Sequence, residues 1–269
     1  MSIRYFSEWT RRSCYILQKH KEKGAYITSA HPSELVTYDP FSCDNDILLE
    51  ILSIGKDAGV AMLDFRILDF CNRYGLLGFG QAVLEKEYDN STAKLYADNV
   101  FGEKLISDQK LMDLIFPFDR YSHRVKKSDL MPITTRWEIA CDIEGSHWPL
   151  FDQFYAERVD WISIYARHLY ELLVCFHKNE PFEYPLGNVK CKLSCYGAAK
   201  AIWQYDSLKS AIDIMFIQLL QHPSPAIRLC KWCLTPFRVP VGTRATYCST
   251  SCRNVLNVKK SRQKKNMSD

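Results

Sequence analysis

Four cysteines near the C-terminus constrain this chain more than any other feature. Cys230-Lys-Trp-Cys233 is followed, after fourteen intervening residues, by Cys248-Ser-Thr-Ser-Cys252. Thiolates two or three residues apart can reach one tetrahedral ion from a turn or a helical end. Two such pairs joined by a hairpin-sized insert predict a single structural zinc ion held by Cys230, Cys233, Cys248 and Cys252. With thiolates in all four positions no open position remains for a catalytic water, so the ion is expected to build a platform and perform no chemistry. In the insert, Pro240-Val-Gly242 is expected to turn the chain between short strands carrying Phe237 and Tyr247. Ser249 and Thr250 are placed to cap a helix that starts between the last two ligands. Knuckle, hairpin and ligand-bearing helix make the treble-clef pattern. The competing readings are four more buried cysteines, or a redox Cys-x-x-Cys, which lacks a βαβ pattern around Cys230.

Charge is divided along the chain. Residues 226–269 hold ten Lys or Arg against one acid, Asp269, which leaves 25 basic and 30 acidic residues in positions 1–225. An acidic body therefore carries a basic tail, and such a split points to a polyanion contact localised to the tail. Arg228, Lys231, Arg238, Arg244 and Arg253 lie near the cysteines in sequence and are expected to offset the four thiolates and lower their pKa values. Beyond the last cysteine the chain reads RNVLNVKKSRQKK. On a helical wheel Cys252, Val255, Leu256 and the stem of Lys259 share a side suited to packing over the metal core. Arg253, Asn257, Lys260 and Lys264 form a stripe about 120° away. Laid along a phosphate backbone or into a major groove, this helix would offer Arg253, Asn254, Asn257, Lys259, Lys260, Arg262, Lys264 and Lys265 to nucleic acid, with Arg253, Asn254 and Asn257 reaching base edges. The plainer alternatives are a solvated terminal helix, or basic residues drawn to a helix C-terminus by its dipole.

The remainder of the 269 residues reads as a mainly helical, mostly α (α+β) domain over 1–224, followed by the finger over 225–269. Helices are predicted over Asp44–Ile54 and Leu63–Tyr74, the latter with Leu63, Ile67, Phe70 and Tyr74 on one face and Gly75 as its stop. A hairpin or loop is expected between Val83 and Val100, and helices over Glu103–Ile115 and from Thr135 to Ile143. Phe154–His177 reads as one long helix with Phe154, Trp161, Tyr165, Leu169, Leu172 and Phe176 inward. Asn188–Tyr196 reads as a strand. A last helix runs from an Asp206 N-cap to Gln221 with Leu208, Ala211, Ile212, Met215, Phe216, Leu219 and Leu220 as its apolar face. The break His222-Pro223-Ser224-Pro225 marks the module boundary. The seven cysteines outside the cluster (Cys14, Cys43, Cys71, Cys141, Cys175, Cys191 and Cys195) are expected to be core filler.

The order of apolar helix, short break, Cys-x-x-Cys, hairpin, Cys-x-x-x-Cys-x-Asn and basic helix resembles bacterial CGNR zinc-finger proteins, in which a helical domain often called ABATE precedes the finger. The resemblance covers about residues 205–265. It implies Cys230, Cys233, Cys248 and Cys252 as zinc ligands, Asn254 as the family's asparagine, and a cytoplasmic bacterial protein acting in transcriptional regulation. The family's glycine after the last cysteine is Arg253 here, its arginine is Val255, and the last two ligands sit one residue closer together.

No P-loop, GxGxxG, HExxH or GxSxG motif occurs, so no catalytic residue is assigned and an enzyme is not expected. His147, His168 with Glu171, and Asp64, Asp69 and Asp119 read as structural or surface groups. The charged opening MSIRYFSEWTRRSCYILQKHK does not resemble a signal peptide, and the apolar stretches are short, so a soluble cytoplasmic protein without a membrane contact is expected. The leading reading is a zinc-finger regulator that binds DNA through its C-terminal helix, while the body binds a small-molecule ligand or a protein partner. The alternatives are a zinc-stabilised protein-interaction module and an RNA-associated protein.

Overall fold

A computed structural model describes residues 9–43, 46–79, 117–118, 155–184, 189–194, 200–205, 207–222, 225–240 and 242–266. The hairpin expected between Val83 and Val100 and the helices expected over Glu103–Ile115 and Thr135–Ile143 lie outside these residues.

The chain opens with strands. β1 (Trp9–Arg12) pairs antiparallel with β4 (Leu35–Tyr38), and β2 (Tyr15–His20) pairs with β3 (Gly24–Ser29). The other edge of β3 takes β5 (Ala156–Arg158), so the sheet order is β2-β3-β5. β6 (Val189–Ser194) and β7 (Lys200–Tyr205) form a hairpin, and β8 (Ile227–Leu229) pairs with β9 (Pro236–Arg238). Five helices complete the described chain: α1 (Asp46–Lys56), α2 (Leu63–Tyr74), α3 (Val159–His177), α4 (Leu208–Gln221) and α5 (Thr250–Asn266).

The mostly α expectation is therefore corrected: the class is mixed α+β, with four small antiparallel sheets among the described residues. The strands escaped periodicity for a physical reason. Tyr26, Ile27, Thr28 and Ser29 of β3 are all buried, so neither face of that strand carries the polar alternation that marks a half-buried strand. β5 explains why α3 begins at Val159 and not at Phe154. Glu157, fully buried in β5, accepts hydrogen bonds from the backbone N–H groups of Leu77 (2.8 Å), Gly78 (2.5 Å) and Phe79 (2.9 Å) and from the Tyr155 hydroxyl (2.5 Å). A carboxylate with four donors fixes the extended backbone there, and tertiary pairing overrides the helical pattern.

Packing is tightest where α1 meets α3. Ile47, Leu48, Ile51, Leu52 and Ile54 of α1 are fully buried. At Gly55 a Cβ would lie 2.0 Å from the Ala166 carbonyl oxygen, so only glycine lets these helices approach this closely. α2 spans the expected Leu63–Tyr74 and ends at Gly75, whose φ of +95° breaks the helix. The cap of α4 is Ser207, one residue later than expected: its side chain accepts from the Ser210 N–H at 3.1 Å. The apolar face of α4 holds, but it also carries a charge. Asp213, fully buried, accepts from Lys209 Nζ (2.8 Å), from the Tyr165 hydroxyl (2.7 Å) and from the Tyr184 hydroxyl. Phe176, expected inward on α3, is 43% exposed. Of the scattered cysteines with described side chains, Cys71 is buried in the core and Cys43 packs half-buried against it, while Cys14 is exposed, which corrects the core-filler reading for Cys14.

The hydrophobic core does not stop at the proline break. Ile227 and Leu229 of β8 belong to the same cluster as Leu169, Met215 and Phe216. Arg238 of β9 pairs with Asp46 at the start of α1, and the Tyr170 hydroxyl of α3 donates to the Leu234 carbonyl at 3.2 Å. No helix among the described residues is long and apolar enough to cross a membrane.

Candidate metal centre

The local sequence places each thiol in turn. Cys230 directly follows β8 and is fully buried. The following residues turn back, with Leu234 N–H donating to the Cys230 carbonyl (2.9 Å) and Cys230 N–H to the Thr235 carbonyl (3.0 Å). This knuckle needs a left-handed residue and takes Leu234 at φ 56°. β9 then pairs with β8, so the short hairpin encloses the first thiol pair. Tyr247 is not on a strand, and the hairpin expected between Phe237 and Tyr247 is replaced by β8–β9. Pro240 and Thr243 still close a turn (3.1 Å) with Gly242 at φ +76°. From there Thr246 accepts from Lys231 N–H (3.0 Å), which brings Cys248 beside the knuckle. The Ser249 hydroxyl accepts from Cys252 N–H (3.2 Å), an N-cap that starts α5 and places Cys252 in its first turn.

The four sulfur atoms lie within 4.8 Å of one another. Cys233 and Cys248 are 3.6 Å apart, Cys248 and Cys252 3.5 Å, and Cys252 and Cys233 3.8 Å. These separations are far beyond the S–S bond of about 2.0 Å in a disulfide. A regular tetrahedron of thiolates at about 2.3 Å from a central zinc has edges of about 3.8 Å, so the sulfur cage fits one such ion. The four cysteines can hold a single metal ion.

Hydrogen bonding, more than surrounding charge, prepares the thiols. Burial opposes ionisation of Cys233, but the Thr235 hydroxyl, 3.1 Å from its sulfur, and the Thr235 backbone N–H bring its pKa down to about 6. Burial likewise opposes ionisation of Cys230, and the backbone N–H groups of Cys233, Cys248 and Trp232 outweigh it and lower the value. Cys248 moves the other way, up to about 12, through burial and the neighbouring thiols. Cys230 and Cys233 thus ionise more readily than a free thiol, while Cys248 keeps its proton until a cation displaces it. The expected role of the nearby arginines is not what lowers Cys230 and Cys233; Arg238, for one, is engaged with Asp46. Thr235 was not singled out in the sequence, although a hydroxyl two residues after a ligand is the signal that marks it.

α5 leaves this cluster with its expected contacts exposed. Arg253, Asn254, Asn257 and Lys259 all face solvent over much of their surface, and the backbone of α5 carries on through Lys260, Arg262, Lys264 and Lys265. None of the four exposed residues forms an ion pair among the described residues. Lys259 Nζ lies 5.6 Å from the ring centroid of Trp232, a knuckle residue that is 38% exposed. Cys252 and Leu256 are half-buried, as a core-facing side requires, but Val255 (42%) is exposed, so the side expected to cover the metal is narrower than the wheel suggested; Val258 (51%) is exposed as well. Of the residues set aside, His168 is exposed and stacks on Tyr184, with ring centroids 6.4 Å apart.

No family model, no curated protein and no solved structure matches this chain.

Proposed function

We propose that residues 225–269 form a zinc finger that binds duplex DNA through α5, and that the protein is a divergent relative of the CGNR regulators acting in bacterial transcription. The observation that carries this reading is the exposure of Arg253, Asn254, Asn257 and Lys259 on a helix that starts at the metal cage and holds no acidic residue before Asp269. Zinc suits the cage because four thiolates in a tetrahedron favour it over the harder cations. Cys252 ties the first turn of α5 to the metal cage. The cations of the stripe, Arg253, Lys260 and Lys264, then follow phosphates while Asn254 and Asn257 supply hydrogen bonds to base edges.

Fluorescence anisotropy of the zinc-loaded protein on labelled duplex DNA tests this. The three cations of the stripe, Arg253, Lys260 and Lys264, predict a loss of about fortyfold in affinity between 50 and 200 mM salt. Lys260→Glu with Lys264→Glu should abolish binding and leave the metal bound. Salt-independent binding, or none at low salt, contradicts the reading. Single-stranded RNA competing better than duplex DNA moves the finger to RNA.

One observation favours a second reading. Val255 and Val258 share an exposed face about 160° from the basic stripe, counted at 100° per residue. An interaction module would bury that face against a protein, and Val255→Asp would then break a complex while leaving DNA binding unchanged.

A further inference from the structure

Between the finger and the ends of α3 and α4 lies a groove of about 620 Å³. Its apolar wall is made by Leu173 and Phe176 from α3, Leu219 and Leu220 from α4, and Ile227 and Leu229 from β8. Its polar wall holds Arg228 and Lys231 from the finger, with His177 and His222 at the helix ends. No aspartate or glutamate lines it, although residues 1–225 carry more acids than bases. Neither Arg228 nor Lys231 has a carboxylate within ion-pair distance among the described residues. Phe176 explains itself here: it is the one described residue of the expected inward face of α3 that the protein leaves open, and its 43% exposed ring borders this space.

We propose that this groove binds a small organic anion with an extended apolar tail. The volume is that of small-molecule sites, which join mostly apolar walls to a few placed polar groups. The charges also set the orientation. The C-terminal ends of α3 and α4 present carbonyl oxygens and so repel an anionic head, whereas Arg228 and Lys231 attract it. The head sits on the finger side and the tail runs between Phe176, Leu220 and Leu173. Because β8 leads directly into Cys230 and Lys231 lies inside the knuckle, a ligand here touches body and finger together. The site stands independently of what α5 contacts.

The test uses the full-length, metal-loaded protein and decanoate as the probe, titrated by calorimetry, with 1-decanol and acetate as partial analogues. Saturable one-to-one binding of decanoate is expected, with both analogues at least about tenfold weaker because each lacks one half of the recognition. Arg228→Gln combined with Lys231→Gln should weaken decanoate about tenfold or more, the loss of two charge-assisted contacts. Gln221→Trp, at the exposed last residue of α4, should block the groove without altering charge. Unchanged thermal melting and metal content show that these variants remain folded. Failure of decanoate to saturate, equal binding of 1-decanol, or full binding by both variants would overturn the proposal. Binding of a glutamate-rich amphipathic peptide but not of decanoate would do so too, and would make the groove a protein surface.

Discussion

The α1–α3 crossing and the cysteine knuckle sit on neighbouring parts of one molecule and are held by opposite means. At the crossing, Gly55 lies against the Ala166 carbonyl and five fully buried residues of α1 pack around it, so shape and apolar burial do the holding. At the knuckle, β8 and β9 are three residues each, Cys248 and Ser249 are exposed, and nearby Trp232 and Leu234 face solvent. Such a segment buries too little to order itself, and its four thiols repel one another once ionised. A bound cation converts that repulsion into the strongest local interaction. On this account the metal orders the finger, whose buried residues are Ile227 and Leu229 of β8, Cys230 and Pro236 among the described residues.

Removing the metal should break this comparison most. Chelation, or Cys233→Ser, is expected to cost the finger of order 10 kcal/mol, the scale of structural zinc binding in small fingers. Trp232 fluorescence and protease sensitivity after residue 230 should change, while the far-ultraviolet signal of the body stays. Loss of both together would show that body and finger form one cooperative unit.

The body has its own weak point, and it is polar. Asp213→Ala leaves Lys209 buried without its carboxylate and removes the carboxylate that accepts from Tyr165 and Tyr184. Breaking a buried pair in this way costs about 3–5 kcal/mol, measurable as a lower denaturant midpoint. Metal affinity should be unaffected. Smallest is Ser249→Ala, which removes the cap of α5 for about 1 kcal/mol and should weaken metal retention slightly while leaving body stability at the wild-type value.

The sequence made some of this legible and hid the rest for physical reasons. α1, α2 and α4 were readable because each has an apolar face at helical spacing, and α2 and α4 also end at Gly75 and the His222 break. The cysteine cage was readable because ligand spacing is local. β3 was not, since a strand buried on both faces shows no alternation. Glu157 and Asp213 were not, since a buried carboxylate looks like any other until its donors arrive from residues 77–79 or from α3. A choice between two local partners decided the finger: β9 paired back across the knuckle with β8 and left Tyr247 outside any strand.

Metal content of the purified full-length protein tests the central claim most directly. Elemental analysis should find one zinc per chain, displaceable by cobalt with the absorption of a tetrahedral thiolate site, and lost when Cys230, Cys233, Cys248 and Cys252 are all replaced by serine. A metal-free protein with four freely titrating thiols and an intact finger, or zinc retained by the fourfold variant, would contradict it.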